Sequence, residues 1–367
     1  MRRCCIKILI SLLLGLLLGC SKSFDTPDIP PVARSEVAQE RPITLLAAGD
    51  MYLQAVDFPS LEELRVGLPA HDLFLVNLES PITEHRLPIS EEKSALHQSP
   101  HAVARLLKDF GVDLVGLGNN HILDYGEKGL EDTLASLDAA GVAHFEAGFD
   151  LEEAASGHVV ELAGLRIGFL AFMQRYPAYQ YEYPFYATPT RAGVVLAARN
   201  FMMPAITRMR EQVDTLVVSF HFGREYRDVN SKQLRMARLA VDLGADLVLG
   251  HHSHNLQGLE VYRGVPILYS LGNFVFPGAG RFESMDSPLW AHGWLASLCV
   301  DAGRVVQVDL LPVKGNQTPG GSAPHFVGSD VLQGLREVVG QRFKLPLRIS
   351  DRSLRWSATG QAACYSS

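Results

Sequence analysis

Short apolar runs alternate with amphipathic stretches through most of this chain. Runs of this length, with almost no internal polar positions, are typical of strands buried on both faces of a sheet. The stretches between them repeat apolar residues at helical spacing. This alternation predicts an α/β fold with a parallel or mixed sheet and helices outside it. The predicted strands are 43–49, 73–78, 113–118, 215–220 and 246–250, and the predicted helices are 101–110, 130–140 and 232–243.

Three further segments are predicted to form β-hairpins, because a turn sequence lies within each of them. Residues 158–172 turn at Ala163-Gly164, 259–276 at Arg263-Gly264, and 294–313 at 301–303. Hairpins join antiparallel strands. A mixed sheet, or two sheets packed together, therefore accommodates them better than a purely parallel sheet.

One pattern occurs twice, in residues 110–121 and 243–254. In both, a predicted helix ends near a glycine, an apolar strand follows, and Gly with Asn or His comes next. Glycine commonly ends helices, so part of this repeat is generic to α/β proteins. The matching polar ends are not generic, and they suggest two half-sites that face one another.

Two segments depart from the alternation. Residues 175–190 are rich in Tyr and Pro, which favours an ordered surface loop; a lid that covers a substrate is the alternative. The chain after Val313 opens with Gly and Pro and offers one helix, over 329–339. We expect this tail to pack weakly and to carry no catalytic residue.

The N-terminus has the character of an export signal. Arg2, Arg3 and Lys7 precede an apolar stretch, 8–18, that is too short to span a bilayer comfortably. The stretch ends in residues 17–20, Leu-Leu-Gly-Cys, which resemble a bacterial lipobox, in which the chain is cut before a Cys that becomes lipidated. An ordinary signal peptide or a short anchor is the alternative.

With this export signal, the chain is predicted to have four parts. We expect a lipoprotein signal peptide at 1–19, a lipidated Cys20 with a flexible tether over 20–40, a main domain over 41–315, and a C-terminal extension over 316–367. The protein would then be exported and anchored by lipid to the cell envelope. Ser21, which is not Asp, favours the outer membrane if the host has one.

Charge and cysteine content narrow the chemistry. The net charge of −7 argues against a nucleic-acid-binding surface, so we expect no nucleic-acid partner. With the signal removed and Cys20 lipidated, only Cys299 and Cys364 remain, and we favour two unpaired thiols. No zinc-type Cys pattern occurs, so a metal site would have to use nitrogen and oxygen ligands.

Polar residues follow all five predicted strands. In α/β sheets, ligands bind just beyond the carboxyl ends of strands. Each residue has an ordinary alternative: Asp50 as a turn residue or cap, Glu79 as a solvated strand end, His221 as a core histidine. Their common position predicts a metal site instead. The residues are Asp50, Glu79, Asn119, Asn120, His121, His221, His251, His252 and His254.

The same segments carry a family resemblance. In order they are 49–51 (Gly-Asp-Met), 77–81 (Asn-Leu-Glu-Ser-Pro), 118–121 (Gly-Asn-Asn-His) with 124–126 (Asp-Tyr-Gly), 221–226 (His-Phe-Gly-Arg-Glu-Tyr), 250–254 (Gly-His-His-Ser-His) and 270–274 (Ser-Leu-Gly-Asn-Phe). The chain resembles the CapA family of bacterial capsule and poly-γ-glutamate synthesis proteins, which are similar to calcineurin-like metallophosphoesterases. The resemblance implies a four-layer α/β/β/α sandwich with mixed sheets.

The resemblance also implies a ligand set. One divalent ion would bind Asp50, Glu79 and His254, and a second would bind Glu79, Asn120, His221 and His252. Tyr52 stands where a His is usual, so one ion or two remain open, and the mixed donors suit Mn, Fe or Zn. His121 would be the catalytic residue facing the substrate. The supporting residues would be Asn119, Asp124, Glu225, His251 and Asn273, with an ordinary salt bridge or cap as the alternative for Asp124 and Glu225.

The implied activity is metal-assisted hydrolysis of a polymer amide or phosphoester bond. The expected partners are an anionic polymer such as poly-γ-glutamate, the membrane through the lipid anchor, and a membrane polymer synthase. Arg224 and Arg227 could hold a polymer chain despite the negative net charge. Two alternatives are a polymer-binding or export component that keeps the metal for structure, and an assembly partner of the synthase without turnover.

Overall fold

The computed structural model describes residues 39–53, 58–90, 99–177, 183–277, 291–317, 323–341, 343–350 and 352–358. The expected signal peptide, Cys20 and nearly all of the tether lie outside the described residues, as does Cys364. None of the helices in the described ranges combines the length and apolar character needed to cross a membrane.

The main predicted elements are present. The helices are α1 (Phe58–Gly67), α2 (Ala102–Phe110), α3 (Gly126–Ala140), α4 (Leu151–Ala154), α5 (Arg199–Arg210), α6 (Ser231–Asp242) and α7 (Ser329–Gln341). The strands are β1 (Ile43–Met51), β2 (Leu73–Leu78), β3 (Leu114–Gly116), β4 (Ala143–Phe145), β5 (Ala147–Gly148), β6 (His158–Leu162), β7 (Leu165–Met173), β8 (Gly193–Val194), β9 (Thr215–His221), β10 (Leu247–His251), β11 (Leu259–Tyr262), β12 (Val265–Leu268), β13 (Asn273–Pro277), β14 (Gly293–Asp301), β15 (Arg304–Lys314), β16 (Asn316–Gln317), β17 (His325–Phe326), β18 (Arg348–Ser350) and β19 (Ser353–Ser357).

Within the described residues, two large mixed sheets form the centre of the fold. The first has eleven strands, of which eight run in the order β18-β19-β15-β14-β1-β2-β3-β4, with β13 pairing with the end of β1. The second has six, in the order β11-β12-β10-β9-β7-β6. The strands β1, β2 and β3 are mutually parallel, and so are β7, β9 and β10.

Alternation along β1 shows how the layers stack. Leu45 and Ala47 join one buried cluster with residues of the second sheet, such as Phe169, so this cluster fills the space between the sheets. Leu46 and Ala48 point the other way, into a cluster that includes residues of α1, α2 and α3. Helices α5 and α6 cover the second sheet. The predicted four-layer α/β/β/α sandwich is thereby confirmed.

The hairpin predictions hold with one correction. Strands β6 and β7 pair antiparallel, as do β14 and β15, at the predicted turns. The middle hairpin is shorter than predicted, since it ends with β12. The next strand, β13, leaves it and pairs with β1 in the other sheet. A turn sequence specifies local pairing, whereas the sheet that a later strand joins depends on the packed core.

Two expectations for the rest of the chain are wrong. The tail does not pack weakly: Leu332, Leu335 and Val339 of α7 are buried in the core between the sheets, and β19 pairs with β15. Their apolar positions repeat at helical spacing, which outweighs the loop-like opening of the tail. Cys299 is not a free thiol but is disulfide-bonded.

Candidate metal centre

The polar strand ends of both sheets converge on one buried place. Asp50 lies on β1 and Glu79 follows β2, in the first sheet, while His221 ends β9 in the second. Asn120 follows β3, and its Oδ1 lies 2.5 Å from His221 Nε2, which joins the two sheets directly. The repeated helix–strand pattern accordingly contributes one strand to each sheet, β3 and β10, and both lead into this site.

Two glycines permit the close approach of the chain segments at the site. A Cβ on Gly49 would lie 1.9 Å from the Gly272 carbonyl oxygen, and one on Gly250 would lie 2.1 Å from that of Tyr269. The Asp50 N–H donates to Gly272 O at 2.8 Å, and the Leu271 N–H donates to Gly250 O at 3.0 Å. The segment 269–272 thus fastens the end of β1 to the end of β10.

Glu79 lies at the centre of the cluster and is fully buried. Its Oε1 is 3.9 Å from His121 Nε2, 3.7 Å from His221 Nε2 and 3.7 Å from His254 Nε2. These separations are too long for hydrogen bonds. They suit donors that share an ion, because ligand atoms about 2.0–2.2 Å from a metal lie roughly 3–4 Å from one another.

Two buried groups in the described residues could hold a metal ion. One is Asp50, Glu79 and His254, and the other is Glu79, His221 and His252; within each group the ligand atoms lie within 4.8 Å of one another. Glu79 belongs to both and could bridge two ions. These are the predicted sets apart from Asn120, whose amide oxygen lies beside His221. The residues present therefore fit a divalent metal centre.

Asp50 is held by several donors. Its Oδ1 accepts from Asn77 Nδ2 at 2.7 Å, and its Oδ2 accepts from the His252 N–H at 3.2 Å. His251 Nδ1 lies 3.3 Å from Oδ1 and His254 Nδ1 lies 3.5 Å from Oδ2. Burial alone would raise the pKa of Asp50, but the hydrogen bond from His251 and the nearby imidazoles outweigh burial and lower it. Asp50 is therefore anionic, as a metal ligand must be.

The His-x-His pair is held in an unusual backbone conformation. His252 has φ 87° and His254 has φ 53°, both in the left-handed region that non-glycine residues rarely adopt. His254 Nδ1 lies 2.8 Å from Asn273 Oδ1, which directs Nε2 towards Glu79. Burial, together with the neighbouring imidazole of His254, lowers the pKa of His252 to about 3. The ring of His252 is thus neutral, the form that binds metal.

His121 has the geometry of an oriented imidazole. Its Nδ1 lies 2.7 Å from Asp124 Oδ2, and its Nε2 faces Glu79. The loop around it is organised by Asn119, whose Oδ1 accepts from the His121 and Ile122 N–H groups at 3.0 and 3.1 Å. Glu225, by contrast, is exposed on the loop after β9.

Several residues at the site were not predicted from the sequence to belong to it. Asn77, which donates to Asp50, was visible as an amide inside an apolar strand. The rings of Tyr176 and Phe276 each lie 5.0 Å from a ligand histidine, His252 and His254 respectively, and the ring of Tyr226 lies 5.9 Å from that of His254. Tyr176 and Tyr226 come from separate loops and Phe276 comes from β13, and nothing in the sequence indicated that these rings pack against the ligand histidines.

The loop over 175–190 reaches the site at one end. Tyr176 donates through its hydroxyl to Gly223 O at 3.0 Å and packs against His252, while Phe185 and Tyr186 are buried. Residues 178–182 lie outside the described residues. Tyr52, at the position where the resemblance implies a His, packs its ring 5.5 Å from that of Phe276.

Solved structures resemble the chain only distantly. A hypothetical protein from Thermus thermophilus aligns with a TM-score of 0.45 at 17% identity, over 74% of this chain and 98% of that one. Purple acid phosphatase PPD1 from yellow lupin aligns with a TM-score of 0.33 at 10% identity, over 83% and 56%.

Sequence relatives are closer. The chain is 34% identical over 222 residues to the PGA biosynthesis protein CapA of Bacillus subtilis, covering 60% of this chain and 57% of that protein. It is 30% identical over 220 residues to the capsule biosynthesis protein CapA of Bacillus anthracis, covering 58% and 52%. A probable polyglutamine synthesis accessory protein of Mycobacterium tuberculosis is 30% identical over 258 residues, covering 67% and 66%. The matches span about half to two thirds of these relatives.

The family model for the bacterial capsule synthesis protein PGA_cap matches residues 43–278. This range contains both candidate metal groups, His121 and all six motifs that carried the resemblance. The chain therefore belongs to the PGA_cap family of bacterial capsule synthesis proteins, which includes the CapA proteins.

Proposed function

We propose that this protein is a metal-dependent hydrolase of capsule or poly-γ-glutamate biosynthesis, acting on a polymer amide or phosphoester bond. The observation that carries the proposal is the pair of buried donor groups that share Glu79, with His121 facing the same carboxylate. A buried carboxylate surrounded by imidazoles has no evident packing role, since burying such groups is costly.

The proposed ligands are those that the two donor groups contain, with Asn120 added to the second. When bound, divalent ions of the Mn, Fe or Zn type supply a hydroxide nucleophile near neutral pH and stabilise developing negative charge. The chain contributes fixed ligand positions: Asn273 holds the ring of His254, and Asn77 holds the carboxylate of Asp50. Such supporting contacts orient ligands and tune their basicity.

His121 is the proposed proton donor to the leaving group. Its Nδ1–H donates to Asp124, which fixes the ring and would stabilise its protonated form. Its Nε2 is left to face the site. The buried position of both residues keeps bulk water from competing for this proton.

The proposed substrate is an anionic polymer. The relatives are named for PGA or capsule biosynthesis, and Arg224 and Arg227, both exposed on the loop after β9, would contact carboxylates of the polymer. We further propose export and anchoring through a lipid on Cys20, which would hold the protein near a membrane polymer synthase. The lipobox-like sequence supports this part of the proposal.

A polymer-binding protein without turnover is the second candidate. It is favoured by Tyr52, which packs against Phe276 where the related scheme has a metal-binding His. With that ligand missing, the group of Asp50, Glu79 and His254 offers an ion fewer donors than the scheme provides.

The test combines metal analysis with hydrolysis. The purified protein, loaded with Mn or Zn, is incubated with poly-γ-glutamate and with a model phosphodiester. We expect His121→Ala to lower the hydrolysis rate at least about 100-fold, the usual contribution of a general acid, while the variant still binds its metal. His144→Ala is the matched control, because His144 pairs with Asp138 at the surface, 3.2 Å away. Polymer capture without any turnover would instead support the second candidate.

A further inference from the structure

Glu146 occupies a backbone conformation that is costly for its side chain. It lies between β4 and β5 with φ 78°, in the left-handed region. Glycine adopts this region freely, whereas a residue with a Cβ is strained there. Strain of this kind persists where the surrounding structure enforces it and is concentrated at functional sites.

The carboxyl group of Glu146 is also buried at a cost. The residue is 3% exposed, and among the described residues neither of its carboxyl oxygens has a hydrogen-bond partner. Buried polar groups in proteins are nearly always hydrogen-bonded, so an exception calls for an explanation. An ordered water or a functional contact is the usual one.

The position of Glu146 links it to the metal centre. Its Oε2 lies 3.2 Å, and the Ala171 Cβ lies 3.1 Å, from the point that a Cβ on Gly118 would occupy. Gly118 is the residue before Asn119 and Asn120. The absence of a side chain at Gly118 therefore makes room for the Glu146 carboxyl between the two sheets, directly behind the loop that carries Asn119 and Asn120.

The imidazole of His221 lies on the same face of the second sheet as Ala171. Ala171 pairs with Ser219, and Met173 pairs with His221. Side chains two residues apart on a strand share a face, so His221 lies on the same face of the second sheet as Ser219 and Ala171, and the Ala171 Cβ lies beside Gly118. His221 Nδ1 is buried and, within the described part of the chain, has no hydrogen-bond partner.

The His221 ring and the Glu146 carboxyl have complementary hydrogen-bonding requirements. His221 Nε2 lies towards Glu79 and Asn120, so Nδ1 must carry the ring proton if Nε2 binds an ion. A buried N–H then needs an acceptor, and the carboxyl of Glu146 is an acceptor that lacks a donor.

We propose that Glu146 is a positioning residue that accepts the hydrogen bond of His221 Nδ1–H through an ordered water between the sheets. It thereby orients Nε2 towards the metal and increases the basicity of the ring. This inference rests on the metal-binding part of the proposed function.

The experiment measures metal affinity and metal-free stability in the same variants. Glu146→Gly relieves the backbone strain and removes the acceptor; Glu146→Gln keeps the size and a weaker acceptor. We expect Glu146→Gly to raise the Tm of the metal-free protein but to weaken Zn²⁺ or Mn²⁺ binding about 10- to 100-fold in competition titrations. Glu146→Gln should weaken binding less. Ala302→Gly, which relieves φ 46° in the turn between β14 and β15, is the matched control and should leave metal affinity unchanged.

A purely structural Glu146 would give a different result. Wild-type metal affinity in both Glu146 variants, with the wild-type protein binding metal, would overturn the inference and leave the proposed function standing. A wild-type protein that binds neither metal would overturn the metal-dependent function itself. Weaker binding that accompanies a lower Tm in both variants would also overturn the inference, since general destabilisation would then explain it.

Discussion

At the metal centre, ligand side chains are oriented by hydrogen bonds to residues that are not ligands themselves. His254 is directed by Asn273, which begins the core strand β13 and is fully buried. The amide oxygen accepts from Nδ1–H, and this leaves the lone pair of Nε2 for an ion. The tautomer of a ligand histidine is thus determined by a residue outside both candidate ligand groups.

Replacing Asn273 tests this arrangement. Asn273→Ala should weaken Zn²⁺ or Mn²⁺ binding about 10- to 100-fold, because the ring of His254 loses its hydrogen-bond acceptor. Competition titration with a chromogenic chelator measures the change. Asn200→Ala, at an exposed position of α5, should bind metal like the wild type. Unchanged affinity in Asn273→Ala would show that the ring is oriented by other contacts.

The burial of Glu146 makes a prediction for stability as a function of pH. Burial raises the pKa of the Glu146 carboxyl well above 4.5. Above about pH 4.5 the unfolded chain releases this proton more readily than the folded protein, so folding stability falls as the pH rises towards the folded-state pKa.

Glu146→Gln removes this dependence. In EDTA, the variant should gain stability relative to the wild type as the pH increases from about 4.5 to 7, measured by urea unfolding at several pH values. The expected difference grows with pH, because only the wild type has to bury a carboxyl that would otherwise ionise. A difference that is constant across this pH range would contradict the assignment.

Among the elements, helix α6 shows how local sequence positions the site. Asn230 accepts hydrogen bonds from the N–H groups of Lys232 and Gln233, and the side chain of Gln233 accepts from the Asn230 N–H, which forms a capping box. The helix leads into β10 and so to the His-x-His loop. Its start is therefore specified by residues adjacent in sequence.

Loss of this cap should destabilise the protein without altering the metal centre. Asn230→Ala should lower the free energy of unfolding by about 1 kcal/mol, as cap removal usually does. Asn230→Asp keeps a side-chain acceptor and should remain close to the wild type. Urea unfolding monitored by circular dichroism distinguishes the two, and equal stability of all three proteins would show that the cap contributes nothing.

At the scale of the whole molecule, the C-terminal extension completes the core. Leu335 of α7 is fully buried in the cluster between the sheets, together with Leu354 and Trp356 from the end of the chain. The family model ends at residue 278, so this part lies beyond the matched region.

Truncating this core contact should be costly. Leu335→Ala should lower the free energy of unfolding by about 2–5 kcal/mol, the usual range for a buried leucine. The neighbouring Arg336 is exposed, and Arg336→Ala should change stability by less than about 0.5 kcal/mol. Similar urea midpoints for the two variants would mean that α7 is not an integral part of the domain.

Much of the fold and the ligand set could be predicted because the signals are local. Apolar runs identified β1, β2, β3, β9 and β10, since a strand buried on both faces needs apolar residues throughout. The polar residues after these runs identified the site, since strands of a parallel sheet end on the same edge.

The remaining features depend on contacts between distant parts of the chain. The sequence by itself determined which segments become strands and which residues follow them, because those properties depend on neighbours along the chain. Only the tertiary structure decided that β3 and β10 belong to different sheets, that β13 joins β1, and that Glu146 lies behind Gly118. Such arrangements result from packing the two sheets against one core, where side chains far apart in sequence must fill the same space.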